Sequence, residues 1–172
     1  MLHESEEKGK VEIVDSITSF DEIYNKPYFP KEYEEDIKNA NVLIIPYEQF
    51  REYSKPMFPE ETKIFFEYLK EKSACIEITP DICMSDHEFL ELELHADVVN
   101  IPELIVTLAV LPIITNIISS YLSDKIKKRK TKLNANVDIN VEYDGKVKKI
   151  HYNGDADKFE DTVKAINKHL FK

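Results

Sequence analysis

Four side chains that could bind a metal ion alternate along one short stretch of the sequence, FLELELHADVV. Glu91, Glu93, His95 and Asp97 stand at every second position within residues 89–99. A β-strand here would present all four on one face and its leucines on the other, because successive side chains point to opposite faces. Such a face could hold a divalent metal, which makes a metal-dependent hydrolase one alternative function. A solvated outer face of a sheet explains the same pattern without chemistry.

The rest of the sequence offers no second catalytic constellation. The chain has three glycines and no glycine-rich phosphate loop, so it carries no nucleotide-binding motif. Cys75 and Cys83 form no CxxC pair, and we predict that both are reduced and buried. No serine lies in the glycine-flanked turn of hydrolases, and neither His151 nor His169 has a Cys or Ser partner at a recognisable spacing. We therefore predict no cofactor and favour a protein that is not an enzyme, with the metal-dependent hydrolase kept as an alternative.

A basic cluster in residues 125–132 is the candidate polyanion-binding site. It consists of Lys125, Lys127, Lys128, Arg129, Lys130 and Lys132. Residues 1–103 hold 10 Lys and Arg against 25 Asp and Glu, whereas residues 104–172 hold 13 against 8. Contact with an anionic membrane surface, contact with nucleic acid, and an intramolecular or solvated role all remain open for this cluster. The acidic first half and the lack of interleaved aromatics disfavour nucleic acid as the partner.

The segment just before this cluster is apolar. Residues 104–122 contain no charged side chain over 19 positions, which is long enough to span a bilayer. Pro112 and the polar residues near the end of the segment make a poor membrane anchor. We favour a helix that is kinked at Pro112 and buried in the fold or in an interface with a partner, over a helix in or on a membrane. The predicted interface or membrane residues are Leu104, Ile105, Leu108, Leu111, Ile114, Ile117, Ile118 and Leu122.

The first hundred residues predict a small sheet with one helical crossover. Strands are indicated at residues 11–17, at the continuous apolar run 41–46, at 75–79 and at 89–99. A helix is predicted to begin at Glu60, after Pro59, with an apolar stripe on one side. A buried strand, a helix and a second strand in this order predict one crossover unit.

The C-terminal forty residues predict a ββα unit. Residues 134–143 and 146–154 alternate in polarity around Asp144-Gly145, a pair that favours a type I′ hairpin turn. Val147 and Ile150 differ in parity, so we expect a bulge in the second strand. Apolar residues then recur at helical spacing from Phe159 to Leu170.

The order of elements from Ile113 to Leu170 resembles a known layout. It runs from an apolar helix through the basic KIKKRK and the hairpin VDINVEYDGKVKKIHY to the helix DKFEDTVKAINKHL. This resembles the tail of the effector-associated constant components encoded in bacterial conflict and defence loci. The resemblance covers about a third of the chain. It implies a small adaptor without a catalytic motif that acts beside a separate effector protein, and it transfers no functional residue.

The predicted fold class is α+β, with a small mixed-sheet module, a long apolar helix and a C-terminal ββα unit. We expect a flexible tail at 1–10, an α/β module at 11–100, an apolar helix with a basic end at 101–132 and the ββα module at 133–172. The expected function is a cytoplasmic, non-enzymatic accessory, scaffold or sensor component of a bacterial defence system. Its expected partner is an effector protein or another copy of itself. A membrane-associated effector using residues 104–122 and 125–132 is the second alternative, beside the metal-dependent hydrolase.

Overall fold

The computed structural model describes residues 10–50, 52–74, 77–94 and 97–171. Its strands are β1 (Lys10–Ser16), β2 (Val42–Ile45), β3 (Phe58–Pro59), β4 (Pro80–Ile82), β5 (Glu91–Leu92), β6 (Val98–Asn100), β7 (Glu103–Thr107), β8 (Asn134–Tyr143) and β9 (Lys146–Asp155). Its helices are α1 (Phe20–Tyr24), α2 (Glu34–Asn39), α3 (Thr62–Ser73), α4 (Leu111–Arg129) and α5 (Phe159–Asn167). Helices and a mixed sheet in one chain confirm the predicted α+β class.

Seven strands form one mixed sheet in the order β1-β9-β8-β7-β2-β4, and β6 pairs with β8 beside β7. The β8–β9 hairpin is its centre, with β1 antiparallel to β9 and β7 parallel to β8. Strands β2 and β4 are parallel and are connected through α3, which confirms the predicted crossover unit. Strands β3 and β5 form a separate two-stranded parallel sheet.

The hydrophobic core lies between the main sheet and a layer of helices. Val137, Ile139 and Val141 project from one face of β8 and are fully buried with the apolar side of α4. The ring of Tyr152 in β9 meets that of Phe159 in α5 at 5.4 Å. An edge-to-face contact between Phe65 and a tyrosine of α4 joins α3 to the same layer.

The predicted ββα unit is confirmed. Asp144 and Gly145 have φ values of 52° and 75°, the left-handed pair that a type I′ turn requires. The expected bulge is wrong, because the register runs unbroken from Tyr143 opposite Lys146 to Asn134 opposite Asp155. The side chain of Val147 lies on the same face of β9 as that of Lys149 and is buried there, so the strand needs no bulged residue to bury it.

The helix predicted for residues 101–132 begins later. Residues 103–107 form strand β7, whose three central residues are fully buried between β2 and β8. A 3₁₀ turn at Leu108–Val110 leads into α4. Pro112 lies in the first turn of α4, where its missing N–H is harmless, so the predicted kink is wrong. No helix in the described part of the chain is both long enough and apolar enough to cross a bilayer.

The eight predicted interface residues lie inside the chain's own core. Leu104, Ile105, Leu111, Ile114, Ile117, Ile118 and Leu122 are each at most 6% exposed, and Leu108 is half-buried. These residues therefore do not form an exposed interface, because those in β7 lie in the middle of the sheet and those in α4 pack in the core.

Two further strand predictions need correction. Residues 89–99 do not form one strand, because Glu91–Leu92 pairs with β3 and Val98–Asn100 pairs with β8 in the other sheet. The strand predicted at 75–79 is replaced by β4 at Pro80–Ile82, with residues 75 and 76 outside the described part. Of the predicted tail at 1–10, residues 1–9 lie outside the described part, and Lys10 begins β1. The segments 11–100 and 133–172 share one sheet through the pairing of β1 with β9.

Candidate functional site

The acidic strand face predicted as a metal site is divided between different roles. Glu91 accepts hydrogen bonds from two backbone amides at the start of α3, that of Lys63 at 2.8 Å and that of Glu61 at 3.3 Å. Glu93 and Asp97 are exposed, and His95 lies outside the described residues. No group of three or more His, Cys, Asp or Glu among the described residues is placed to hold a metal ion.

The contact made by Glu91 is a helix cap supplied from another element. Glu61 precedes α3 in a left-handed conformation, with φ 65°, and its own side chain does not cap the helix. A carboxylate at a helix N-terminus satisfies free N–H groups and interacts favourably with the helix dipole. Glu91 therefore serves to fix β5 against α3.

One residue of the basic cluster, Lys125, is engaged within the fold. Lys125 forms an ion pair with Glu61 at 2.6 Å and lies 5.4 Å from the ring centre of Tyr121, with 16% of its side chain exposed. The remaining cluster residues, Lys127, Lys128, Arg129, Lys130 and Lys132, are exposed in and after the last turn of α4. Positive charge at a helix C-terminus favourably offsets the helix dipole.

A polar face of the main sheet is the candidate functional site. Alternation along β8 places Asn136, Asp138 and Asn140 on the face opposite the buried valine and isoleucine side chains. The register places His151 opposite Asp138 and Lys149 opposite Asn140. These side chains were not predicted as a site, although the correctly predicted hairpin contains all five of them.

A hydrogen-bonded network occupies the middle of this face. Asn140 is fully buried and donates to Glu103 Oε1 at 3.0 Å, while its own Oδ1 accepts from Ser16 at 3.1 Å. Lys149 pairs with the same Glu103 oxygen at 3.1 Å. Burial alone would lower the pKa of Lys149, but Glu103 and Asp138 outweigh it, so the pKa is raised. Polar side-chain contacts thereby hold four strands together, namely β1, β7, β8 and β9.

Asp138 and His151 form a close pair next to the network. The imidazole Nδ1 of His151 lies 2.5 Å from Asp138 Oδ1. The His151 side chain is 37% exposed and that of Asp138 is 13% exposed. A carboxylate that accepts from Nδ1 fixes the orientation of the ring. The pair could bind a ligand or, with a reacting group supplied by a substrate, transfer a proton.

A cleft of about 360 Å³ lies beside this pair. Its polar lining is formed by Asn100, Asn136, Asp138 and Asn153. The three asparagines lie side by side on neighbouring strands, because Asn136 pairs with Asn100 of β6 and with Asn153 of β9.

A larger cleft of about 660 Å³ lies elsewhere and includes Lys26, Tyr28 and Glu48 in its lining. Its lining holds two lysines, Lys26 and Lys55, and Lys26 is paired with Glu48 at 3.1 Å and with Glu22 at 3.4 Å. The smaller cleft is the better candidate, because it combines a carboxylate with a row of amides.

The second candidate surface is the outer edge of the main sheet. Strand β1 pairs with β9, and no other described strand pairs with it. Ile13, Val14 and Ile17 are 43%, 48% and 85% exposed in and just after this strand. An exposed edge strand with apolar side chains is a template for a further strand, because its outward backbone N–H and C=O groups are unpaired.

Comparisons with known proteins found no match. No family model matches the chain, and no similar protein was found among curated proteins or solved structures.

Proposed function

We propose that this protein is a cytoplasmic, non-enzymatic accessory or scaffold component of a bacterial defence system, and that it acts by binding another protein. The resemblance of residues 113–170 to effector-associated constant components supplies the biological setting. The observation that carries the proposal is the edge strand β1 with its exposed Ile13, Val14 and Ile17.

Strand addition is the binding mode that this edge supports. The strand has seven residues and no proline, so it offers a row of backbone donors and acceptors to an incoming chain. The side chains of Ile13 and Val14 point to opposite faces of the sheet, so a partner strand would cover apolar surface on both. The other edge strand, β4, has only three residues and begins with Pro80, which makes it a poorer template.

An extended segment of a different protein is the occupant that the charges favour. The chain carries a net charge of −10, so two copies repel each other. Strand β1 itself contains Glu12 and Asp15 against Lys10. A partner strand with alternating apolar and basic residues would complement both the hydrophobic and the acidic side chains.

The two alternative functions receive less support. Glu91 is used as a helix cap, which removes one of the four predicted metal ligands. The large apolar side chains of residues 104–122 belong mainly to the core, which leaves the membrane alternative only the exposed basic residues in and after the last turn of α4.

Co-purification tests the proposal. The full chain is co-expressed with each protein encoded beside its gene, and we expect one of them to co-purify. The double variant Val14→Lys, Ile17→Lys should lose that partner, because charge on an edge strand blocks pairing. Ile64→Lys is the matched control, because Ile64 is 56% exposed on α3, away from this edge.

The outcomes separate the occupants. A partner retained by the double variant, or lost equally in the Ile64→Lys control, would refute docking at β1. A wild-type dimer in light scattering that the double variant converts to a monomer would show that a second copy occupies the edge instead.

A further inference from the structure

The cleft beside the Asp138–His151 pair has one aromatic and apolar side. The rings of Tyr47 and Phe50 stack with centres 5.5 Å apart and an interplanar angle of 29°. Tyr47 is fixed by reciprocal backbone hydrogen bonds with Met57, at 2.7 and 3.0 Å. Leu94 and Val98 complete the apolar lining. Such a lining suits a flat group that can stack on a ring.

The polar part of the lining contains a buried acceptor without a donor. Asn136 directs its Nδ2 towards Asn100 Oδ1 at 3.4 Å, while its own Oδ1 is buried and has no hydrogen-bond partner among the described residues. Buried polar atoms are almost always paired in folded proteins, so an orphaned oxygen in the lining of a cleft indicates a missing donor. Because this oxygen is buried, the Asn136 amide must turn towards the cleft for a bound N–H group to reach it.

The same lining carries a carboxylate with spare hydrogen-bonding capacity. Among the described residues, Asp138 receives one hydrogen-bond contact, from His151, whereas an ionised carboxylate accepts about four hydrogen bonds. The lysine of this face, Lys149, is already paired with Glu103. Burial raises the pKa of the Tyr47 hydroxyl, and Asp138 and Glu103 raise it further, so the region around the cleft is electronegative.

These features select a flat cation that has several N–H donors. A guanidinium group stacks on aromatic rings, presents five donors and binds carboxylates through two of them at once. A lysine ammonium is compact, strongly hydrated and unable to stack as a plane. An anion would be repelled by the Asp138 carboxylate and by the chain's net charge of −10.

We propose that the cleft lined by Tyr47, Asn136 and Asp138 binds a guanidinium group. The group is presented either by an arginine side chain of a partner protein or by a small free guanidinium compound. Asp138 and Asn136 Oδ1 accept its hydrogen bonds, and Tyr47 and Phe50 stack against its plane. This site is independent of strand addition at β1, so either proposal can fail without the other.

Nuclear magnetic resonance titration of the full ¹⁵N-labelled protein tests the site. The probes are N-acetyl-arginine N-methylamide, free L-arginine, N-acetyl-lysine N-methylamide and guanosine. We expect the blocked arginine to bind about ten-fold or more tightly than the blocked lysine, with the largest shifts in β8 and around Tyr47. Tighter binding of the blocked arginine than of free L-arginine identifies a protein side chain as the source, and the reverse order identifies a small molecule.

Variants assign the binding to these residues. Asp138→Asn keeps the shape of the side chain and removes its charge, and we expect affinity for arginine to fall about ten-fold or more. Asn136→Ala removes the unpaired acceptor and should also weaken binding. Asn134→Ala is the matched control, because Asn134 lies two positions away on the same face of β8, is exposed and does not line the cleft.

Several results would overturn the proposal. Equal affinity for the arginine and lysine probes would do so, as would tighter binding of guanosine or chemical-shift changes confined to residues outside the cleft. So would the absence of binding by either arginine probe at about 10 mM, which is about the weakest dissociation constant that the titration detects. The comparison of arginine with lysine uses the wild-type chain, so it decides even where a variant fails to fold.

Discussion

Replacing Glu91 by alanine tests whether the acidic strand residues serve structure or metal chemistry. The substitution removes both acceptors from the backbone amides of Glu61 and Lys63 at the start of α3. Loss of an N-terminal cap costs about 0.5–2 kcal/mol, and loss of the charge at the helix dipole about 0.3–1 kcal/mol. The side chain is exposed, so solvent screening favours the lower part of these ranges.

We therefore expect Glu91→Ala to lower the free energy of unfolding by about 1 kcal/mol, which is about 2–4 °C in Tm for a chain of this length. Glu91→Gln keeps one acceptor and should lose less. Glu93→Ala is the control, because Glu93 is exposed two residues further along and should change stability by less than about 0.5 kcal/mol.

Thermal and urea unfolding with and without a chelator measure these changes. If Glu91 acts as a helix cap, Glu91→Ala should lower the free energy of unfolding by the same amount with and without the chelator. Equal losses in the Glu91 and Glu93 variants that appear only when a divalent metal is present would refute the cap and restore the metal site.

Three further changes test the core, the hairpin and a half-buried carboxyl. Ile118→Ala should cost about 2–5 kcal/mol in urea unfolding, because Ile118 is fully buried. Gly145→Ala should cost about 1 kcal/mol from the positive φ alone, because an added Cβ meets no atom within 4 Å. Burial raises the pKa of Asp81, so its ionised form destabilises the fold, and Asp81→Asn should stabilise the protein at neutral pH. That gain should shrink as the pH falls and wild-type Asp81 takes up its proton in the folded state, and an unchanged gain in acid would contradict the assignment.

The hairpin shows how far the sequence alone could have reached. A two-residue turn at Asp144-Gly145 pairs Tyr143 with Lys146, and counting outwards pairs Asp138 with His151. The pair was therefore predictable from the turn. It was missed because the parity of Val147 indicated a bulge, whereas the hairpin buries this apolar side chain on the same face as Lys149 and His151.

The remaining errors come from pairing between distant parts of the chain. Ser16 and Asn140 are hydrogen bonded across 124 positions, a contact that no local pattern encodes. Residues 91–100 alternate as one strand would, but alternation specifies only which face a side chain takes and not which strand it pairs with. Residues 103–107 are apolar on both faces, and such a short run does not distinguish a central strand from the start of a helix.

The buried polar network also has a consequence for the binding surfaces. Asn140 and Glu103 join β1, β7 and β8 through side chains, in addition to the backbone ladder. A fully satisfied network of this kind favours one register over others. It therefore holds the edge strand in place for a partner and keeps Asp138 beside the cleft.

Hydrogen–deuterium exchange of the full chain, alone and with the co-purified neighbour protein, tests the central claim most directly. Strand addition predicts that the partner slows exchange at the amides of residues 10–16, because new backbone hydrogen bonds protect that edge. It predicts no comparable slowing in the short edge strand Pro80–Ile82. Unchanged exchange at residues 10–16 in a stable complex would contradict the account.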